Sequence, residues 1–252
     1  STPLKYRRGL GGRHGFWDPR KHRVAPICIP IGTHLPHAMG LAWAAKIRGD
    51  RVASVVWFGE GATSEGDFHE ALNFAAVFKV ATVFFCTNNQ WAISTPFDRQ
   101  TATPTVAEKA DAYGVPGVRV DGFDVIACHQ ATADALARAR AGEGPTLIEA
   151  FCYRIKGHAT ADDPSRYRDA AEAERWAALE PVARTSGFLR RRGLLDDATE
   201  RAMRTSAAEA VGKAVREMES IARPSPDILF EPVYAAERPW TLVEQSRERI
   251  SD

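Results

Sequence analysis

Apolar and polar positions change their spacing repeatedly along the 252 residues. From Thr33 to Gly49, Leu35, Met39, Leu41, Ala42, Ala45 and Ile47 recur at roughly helical intervals, and Gly49-Asp50 ends the run. The β-branched and aromatic stretch from Val52 to Phe58 then predicts a buried strand. After Gly59-Glu60-Gly61, Ser64 reads as a helix N-cap with Asp67 three residues on. Phe68, Ala71, Leu72, Ala75 and Phe78 form the apolar stripe of the helix that follows. A second buried strand is predicted from Ala81 to Cys86. The alternation continues with a helix near 105–113, a strand at 118–120, a helix over 125–141 and a strand over 145–154. Residues 156–172 are polar, and two helical stretches follow at about 170–192 and 196–222.

Strands that alternate with helices predict an α/β fold, a three-layer parallel sheet with helices on both faces. The expected division is a domain over 1–222 and a C-terminal extension over 223–252. The extension carries Leu229, Phe230, Val233, Tyr234 and Trp240, a set suited to a subunit contact.

Composition narrows the functional classes. A hydrophobic share of 44% with 26% charged residues is that of a globular domain, and a formal net charge of +1 argues against nucleic acid as partner. No apolar run reaches the length of a membrane-spanning helix. Cys28, Cys86, Cys128 and Cys152 form no CxxC pair and lie in apolar runs, as expected of buried reduced thiols in a cytoplasmic protein.

Candidate chemistry sits in two loops. Gly59-Glu60-Gly61-Ala62-Thr63-Ser64 follows the first strand, and Asn88-Asn89-Gln90-Trp91 follows the second, with 26 residues between Gly61 and Asn88. That interval accommodates one helix and one strand, so both loops emerge side by side at the carboxyl ends of a parallel sheet, where ligands of such folds bind. A carboxylate, an amide oxygen and a backbone carbonyl converging there make a hard oxygen set suited to Mg²⁺. The glycines admit a close backbone approach. Two ordinary capped turns would carry the same residues, but their joint spacing on consecutive strand ends favours a site.

The stretch GEGATSEGDFHEALNFAAVFKVATVFFCTNNQWAISTP (59–96) resembles the thiamine diphosphate motif of alpha subunits of 2-oxo acid dehydrogenases, in which GDG is followed by NN. Glu60 replaces the usual Asp, a variant similar to the branched-chain members. The resemblance extends to Ile29–Thr33, to the 156–168 loop, and to Leu229–Tyr234 and Arg238–Trp240. The family's N-terminal segment, which helps hold the diphosphate, is absent, so 1–222 is read as a thiamine diphosphate-binding domain incomplete at that end. Carried over by position, Glu60, Asn89 and the carbonyl of Trp91 are the expected Mg²⁺ ligands. Gly61 and Ala62 are expected to lie against the diphosphate, and Gly59 to make the turn. Ile31 matches the apolar residue that bends the cofactor, and His158 a histidine of a mobile active-site loop. Arg154 and Arg168 are read as ordering that loop through Asp162 or Asp163.

The resemblance implies oxidative decarboxylation of a 2-oxo acid, most closely 3-methyl-2-oxobutanoate, with transfer of the acyl group to the lipoyl group of a dihydrolipoyl acyltransferase. It implies thiamine diphosphate and Mg²⁺ as cofactors. It also implies a beta subunit in an α2β2 assembly, which supplies the carboxylate that activates the cofactor. Pyruvate as the substrate, or a non-catalytic thiamine diphosphate-binding module, are the alternatives. A phosphate-binding protein without thiamine fits less well, because no GxxxxGK[ST] pattern is present. Mammalian members are regulated by a serine immediately after the loop histidine. Here that position is Ala159, which matches a bacterial, cytoplasmic type.

Overall fold

The computed structural model describes residues 23–25, 30–222 and 240–250. By internal contacts the chain forms two compact units, one of residues 28–196 and one of 1–27 with 197–252. The expected boundary at 222/223 and the apolar residues Leu229 to Tyr234 adjoin or lie outside the described residues, as does Cys28.

The first unit is built on a four-stranded, wholly parallel sheet in the order β1-β2-β6-β5. The strands are β1 (Ser54–Gly59), β2 (Thr82–Asn88), β5 (Gly117–Asp121) and β6 (Thr146–Phe151). Two short strands, β3 (Trp91–Ala92) and β4 (Thr95–Pro96), pair antiparallel as a separate hairpin after β2. On one face lie α1 (His34–Ile47), α2 (Gly66–Val77) and a 3₁₀ segment, Ala107–Tyr113; on the other lies α3 (Val125–Arg140). The expected three-layer α/β arrangement is therefore the one observed.

Strand alternation explains the layers. In β2, Phe84 and Cys86 point into the larger core with Val56 and Phe58 of β1, Leu147 of β6, and Leu35, Phe68 and Leu72 of the helices. Val83 and Ile148 point the other way, onto Ala135 of α3. Full burial of one such side chain stabilises by about 1.5–3 kcal/mol, so this double core is a main contributor to the sheet's stability. The helical stripes are narrower than their sequence suggests. Leu41, Ile47 and Phe78 fall outside the buried arc, and Phe78 stacks on Trp43 at 4.4 Å.

Several local expectations shift. The cap of α2 is Glu65, with no side-chain cap bond, because residues 60–64 first form a 3₁₀ turn that ends at Ser64. The stretch over 170–192 divides into α4 (Ala170–Ala177) and α5 (Pro181–Arg191). Pro181 has no N–H to continue the first helix, and the Glu180 carboxylate caps the second through the N–H groups of Val182 and Ala183. Cys86 and Cys152 are buried free thiols, as expected, but Cys128 is only half-buried. Burial pushes the Cys152 thiol up to about 12. In the second unit, α6 (Asp197–Ser220) buries no residue and carries the i,i+4 pairs Glu200–Arg204 and Lys213–Glu217. The last described element is α7 (Trp240–Ile250). No helix among the described residues is long and apolar enough to cross a membrane.

One glycine is demanded by packing. A Cβ on Gly117, at the start of β5, would stand 2.2 Å from the Ala107 carbonyl oxygen, a backbone atom that cannot swing aside. Gly117→Ala is expected to destabilise the protein by about 1–3 kcal/mol through overpacking. Urea denaturation at neutral pH measures it, and a midpoint equal to wild type would contradict this account of the β5 contact.

Candidate active site

Register brings the two loops together. Gly59 pairs with Thr87 across β1 and β2, so Glu60, the first residue past β1, lies beside Asn88, the last residue of β2. Glu60 is 1% exposed. Its Oε2 accepts from the Asn89 N–H at 3.1 Å. Desolvation raises its pKa, opposed by hydrogen bonds from its own and the Asn89 backbone, by the Arg154 charge and by Gln100. An approaching cation would offset that desolvation and favour the charged form.

The expected ligand residues are neighbours here. Asn89 has its Oδ1 on the Trp91 N–H at 3.2 Å, a local turn that Gln90 makes possible by adopting φ +71°. The carbonyl of Trp91 accepts from Arg154 Nη1 at 3.0 Å, and that of Ile93 from Nη2 at 2.6 Å. A guanidinium thus already serves the carbonyl assigned to the metal and contributes positive charge toward Glu60.

Gly61 and Ala62 divide in role. A Cβ on Gly61 would lie 2.9 Å from the Ala92 Cβ, so the β3–β4 hairpin itself requires that glycine. The Ala62 side chain is buried in the larger core, leaving only its backbone for a ligand. Gly59 has an ordinary φ of −86° and open space around its Cα, so the turn does not demand glycine there. Ile31 is 58% exposed, one residue before Gly32, whose φ of +91° turns the chain against Glu65.

The 156–168 loop is fastened by polar contacts. Asp162 Oδ2 accepts from the His158 N–H at 2.7 Å and from the Tyr167 hydroxyl at 2.6 Å, and these bonds hold its carboxyl below the usual range. Tyr167 in turn accepts from Arg154 Nη2 at 2.8 Å. Arg168 donates to the carbonyls of Arg154 and Ile155 and lies over the Tyr153 ring. Both arginines contact the loop, but through carbonyls and a tyrosine rather than the expected ion pairs with Asp162 or Asp163; Arg154 hydrogen-bonds Tyr167 and acts on Asp162 by its charge. His158 is exposed, tied by its backbone. A cavity of about 380 Å³ opens between this loop and α4, lined by Ile155, Asp163, Ser165, Arg168, Ala173 and Glu174. It is separate from the strand-end carboxylate.

Sequence reading missed Glu149. This carboxylate, 0% exposed in the middle of the apolar strand TLIEAF, accepts from Asn88 Nδ2 at 2.7 Å and from the Ala107 N–H at 3.0 Å, with Arg119 Nε at 3.7 Å. A single acid within an otherwise unbroken apolar strand was its only signal. Gln90 was legible only as part of its loop, and Gln100 had no pattern to mark it.

The family profile described as dehydrogenase E1 component matches residues 4–227. Among curated proteins, the chain is 49% identical over 241 residues to the 3-methyl-2-oxobutanoate dehydrogenase subunit alpha of Mycobacterium tuberculosis, covering 95% of this chain and 65% of that protein. It is 40% identical over 227 residues to the 2-oxoisovalerate dehydrogenase subunit alpha of Bacillus subtilis, covering 89% and 69%. It is 41% identical over 218 residues to the pyruvate dehydrogenase E1 component subunit alpha of Staphylococcus aureus, covering 86% and 59%. The chain therefore spans about 65% of the length of its mycobacterial relative.

Burial of Glu60 carries a stability signature. Its folded pKa lies above the reference 4.5, so without a cation the charged form penalises folding above that range, and the penalty fades as pH falls through 4.5. Glu60→Gln is expected to raise the melting temperature of the ligand-free protein at pH 7, with the gain shrinking toward zero near pH 4. Melting curves across this range test the assignment; a gain independent of pH would contradict it.

Proposed function

We propose, from the premise that this chain belongs to the dehydrogenase E1 component family, that it is the alpha subunit of a 2-oxo acid dehydrogenase. In this reading it decarboxylates a branched 2-oxo acid oxidatively and passes the acyl group to a lipoyl group. The observation that carries the reading is the buried Glu60 carboxylate beside Asn89 at paired strand ends. The 49% identity to the mycobacterial branched-chain relative, against 41% to the pyruvate relative, supports 3-methyl-2-oxobutanoate as substrate, while the Bacillus branched-chain relative at 40% does not separate the two.

The residues fit thiamine diphosphate with Mg²⁺. Glu60, Asn89 and the Trp91 carbonyl are hard oxygen donors, and a buried acid whose pKa is raised by desolvation gains from a divalent cation. Thiamine diphosphate, when bound, supplies a nucleophilic carbon and an electron sink for loss of CO₂. The chain's part is to bind and orient. Gly61 and Ala62 offer backbone N–H groups toward the diphosphate, and Ile31 offers an exposed apolar contact for the ring system. His158, on a loop fixed by Asp162, serves as hydrogen-bond donor to substrate or phosphate. The Arg154 guanidinium balances Glu60 and links the loop to the Trp91 carbonyl.

A beta subunit completes the site with the activating carboxylate in an α2β2 assembly, and a lipoyl-bearing acyltransferase accepts the product. The setting is the bacterial cytoplasm. Ala159 and the absence of a hydroxyl there place the enzyme outside control by a kinase acting at that position.

The test is the purified alpha–beta pair with a lipoyl domain and a panel of 2-oxo acids. Turnover is expected to be fastest with 3-methyl-2-oxobutanoate; a preference for pyruvate would move the substrate assignment, and no turnover of any 2-oxo acid would overturn the function. Glu60→Ala is expected to abolish Mg²⁺-dependent thiamine diphosphate binding in calorimetry, and wild-type affinity in that variant would remove Glu60 from the site.

A further inference from the structure

We infer that Glu149 is a positioning residue for the cation site: through the Asn88 amide it fixes the backbone of the 88–91 loop, and with it the placement of Asn89 and the Trp91 carbonyl opposite Glu60. This rests on the reading above that Glu60, Asn89 and Trp91 hold Mg²⁺.

The argument begins with burial. A carboxylate with no access to water is retained in a sheet core only where its oxygens are satisfied. Both oxygens of Glu149 act as acceptors. Oε1 takes Asn88 Nδ2 at 2.7 Å and lies 3.7 Å from Arg119 Nε, while Oε2 takes the Ala107 N–H at 3.0 Å. Arg119 is itself held over the Phe151 ring at 4.3 Å.

The acceptor-only chemistry of a carboxylate fixes the Asn88 amide. Its NH₂ must face Glu149, so its Oδ1 must face the loop. There Oδ1 accepts from the Gln90 N–H at 3.2 Å and from Gln90 Nε2 at 2.8 Å. These two bonds hold Gln90 at φ +71°, a backbone conformation uncommon outside glycine, Asn and Asp. That bend in turn sets the Trp91 N–H on Asn89 Oδ1 at 3.2 Å. Orientation therefore passes from Glu149 to Asn88, to Gln90, and then to the two loop ligands. Mg²⁺ demands near-ideal octahedral geometry, whereas Ca²⁺ accepts longer and more variable arrangements. A loop that has lost its orientation should therefore lose Mg²⁺ first.

E149Q keeps the size of the side chain but gives it one donor end. Whichever way the new amide turns, an NH₂ faces either Asn88 Nδ2 or the Ala107 N–H, and the relief available to Asn88, an amide flip, takes Oδ1 away from Gln90. Adding N88D reverses the polarity. The new amide can then donate to one aspartate oxygen and accept from Ala107, while the other aspartate oxygen still accepts from Gln90.

The experiment measures thiamine diphosphate binding by calorimetry on the co-purified alpha–beta pair, as a function of Mg²⁺ and, separately, of Ca²⁺. E149Q is expected to raise half-saturating Mg²⁺ roughly 10- to 100-fold, with a much smaller rise for Ca²⁺. The E149Q/N88D double variant is expected to return the Mg²⁺ dependence toward wild type. If E149Q does not fold, Asn88→Ala carries the test, since it removes the lever and leaves Glu149 its Ala107 and Arg119 contacts; the same selective loss of Mg²⁺ is expected. Unchanged cation dependence in a folded variant, or an equal loss of both cations that the double variant does not restore, overturns the proposal and leaves Glu149 a purely structural acid. Wild-type protein that binds thiamine diphosphate without any Mg²⁺ dependence removes the cation site itself, and the proposal with it.

Discussion

A parallel sheet sends the carboxyl ends of its strands to one rim, and here that rim holds two acids that water does not reach. Glu60 follows the last residue of β1 and Glu149 lies within β6, two residues before its end, with β2 between them. Their surroundings divide the work. Glu149 has a donor for each oxygen and an arginine beside it, so it acts as a fixed post. Glu60 has backbone donors and Gln100 but no ion pair within bonding reach among the described residues, and burial raises its pKa. The double apolar core makes the arrangement tolerable, because it carries the stability while the rim holds groups that burial alone would disfavour.

One side chain, Arg154, ties the loop over 156–168 to this rim by hydrogen bonds. Arg154 touches the carbonyls of Trp91 and Ile93 on one side and the Tyr167 hydroxyl on the other. Tyr167 and the His158 N–H then share Asp162. Any change in charge near Glu60 is therefore felt by a guanidinium that also anchors the loop. The contact is electrostatic and works at short range inside a partly dry site, where such terms exceed their strength in water.

Much of this was legible in the residue order. Apolar β-branched runs and helical spacing marked the strands of the parallel sheet and the helices packed on it, though the stretch over 170–192 divides in two, and the interval between Gly61 and Asn88 placed the two loops on adjoining strands, as the pairing of Gly59 with Thr87 bears out. Boundaries were less legible. Ser64 reads as a cap, yet the chain makes a 3₁₀ turn before α2 begins at Gly66, because residues 60–64 answer to the packing of Ala62 and Thr63 as well as to local preference. Gly61 reads as a phosphate-facing glycine, while its closest constraint is the Ala92 methyl from a hairpin that spacing does not reveal. The role of Glu149 was hidden for a related reason. Its meaning lies in partners 61 and 42 positions away, and no local pattern encodes such a bond.

Trp91 joins these parts in a single residue. Its carbonyl lies on the rim within reach of Arg154, and its indole packs 5.5 Å from the Tyr167 ring of the loop. The indole is half-buried, in contrast to Trp57, which is 62% exposed on the outer strand. Light absorbed by this one ring is therefore emitted from the junction of strand end and loop. A shift of either partner changes the polarity around this indole, one of six in the protein, so its share of the emission senses how firmly strand end and loop are joined.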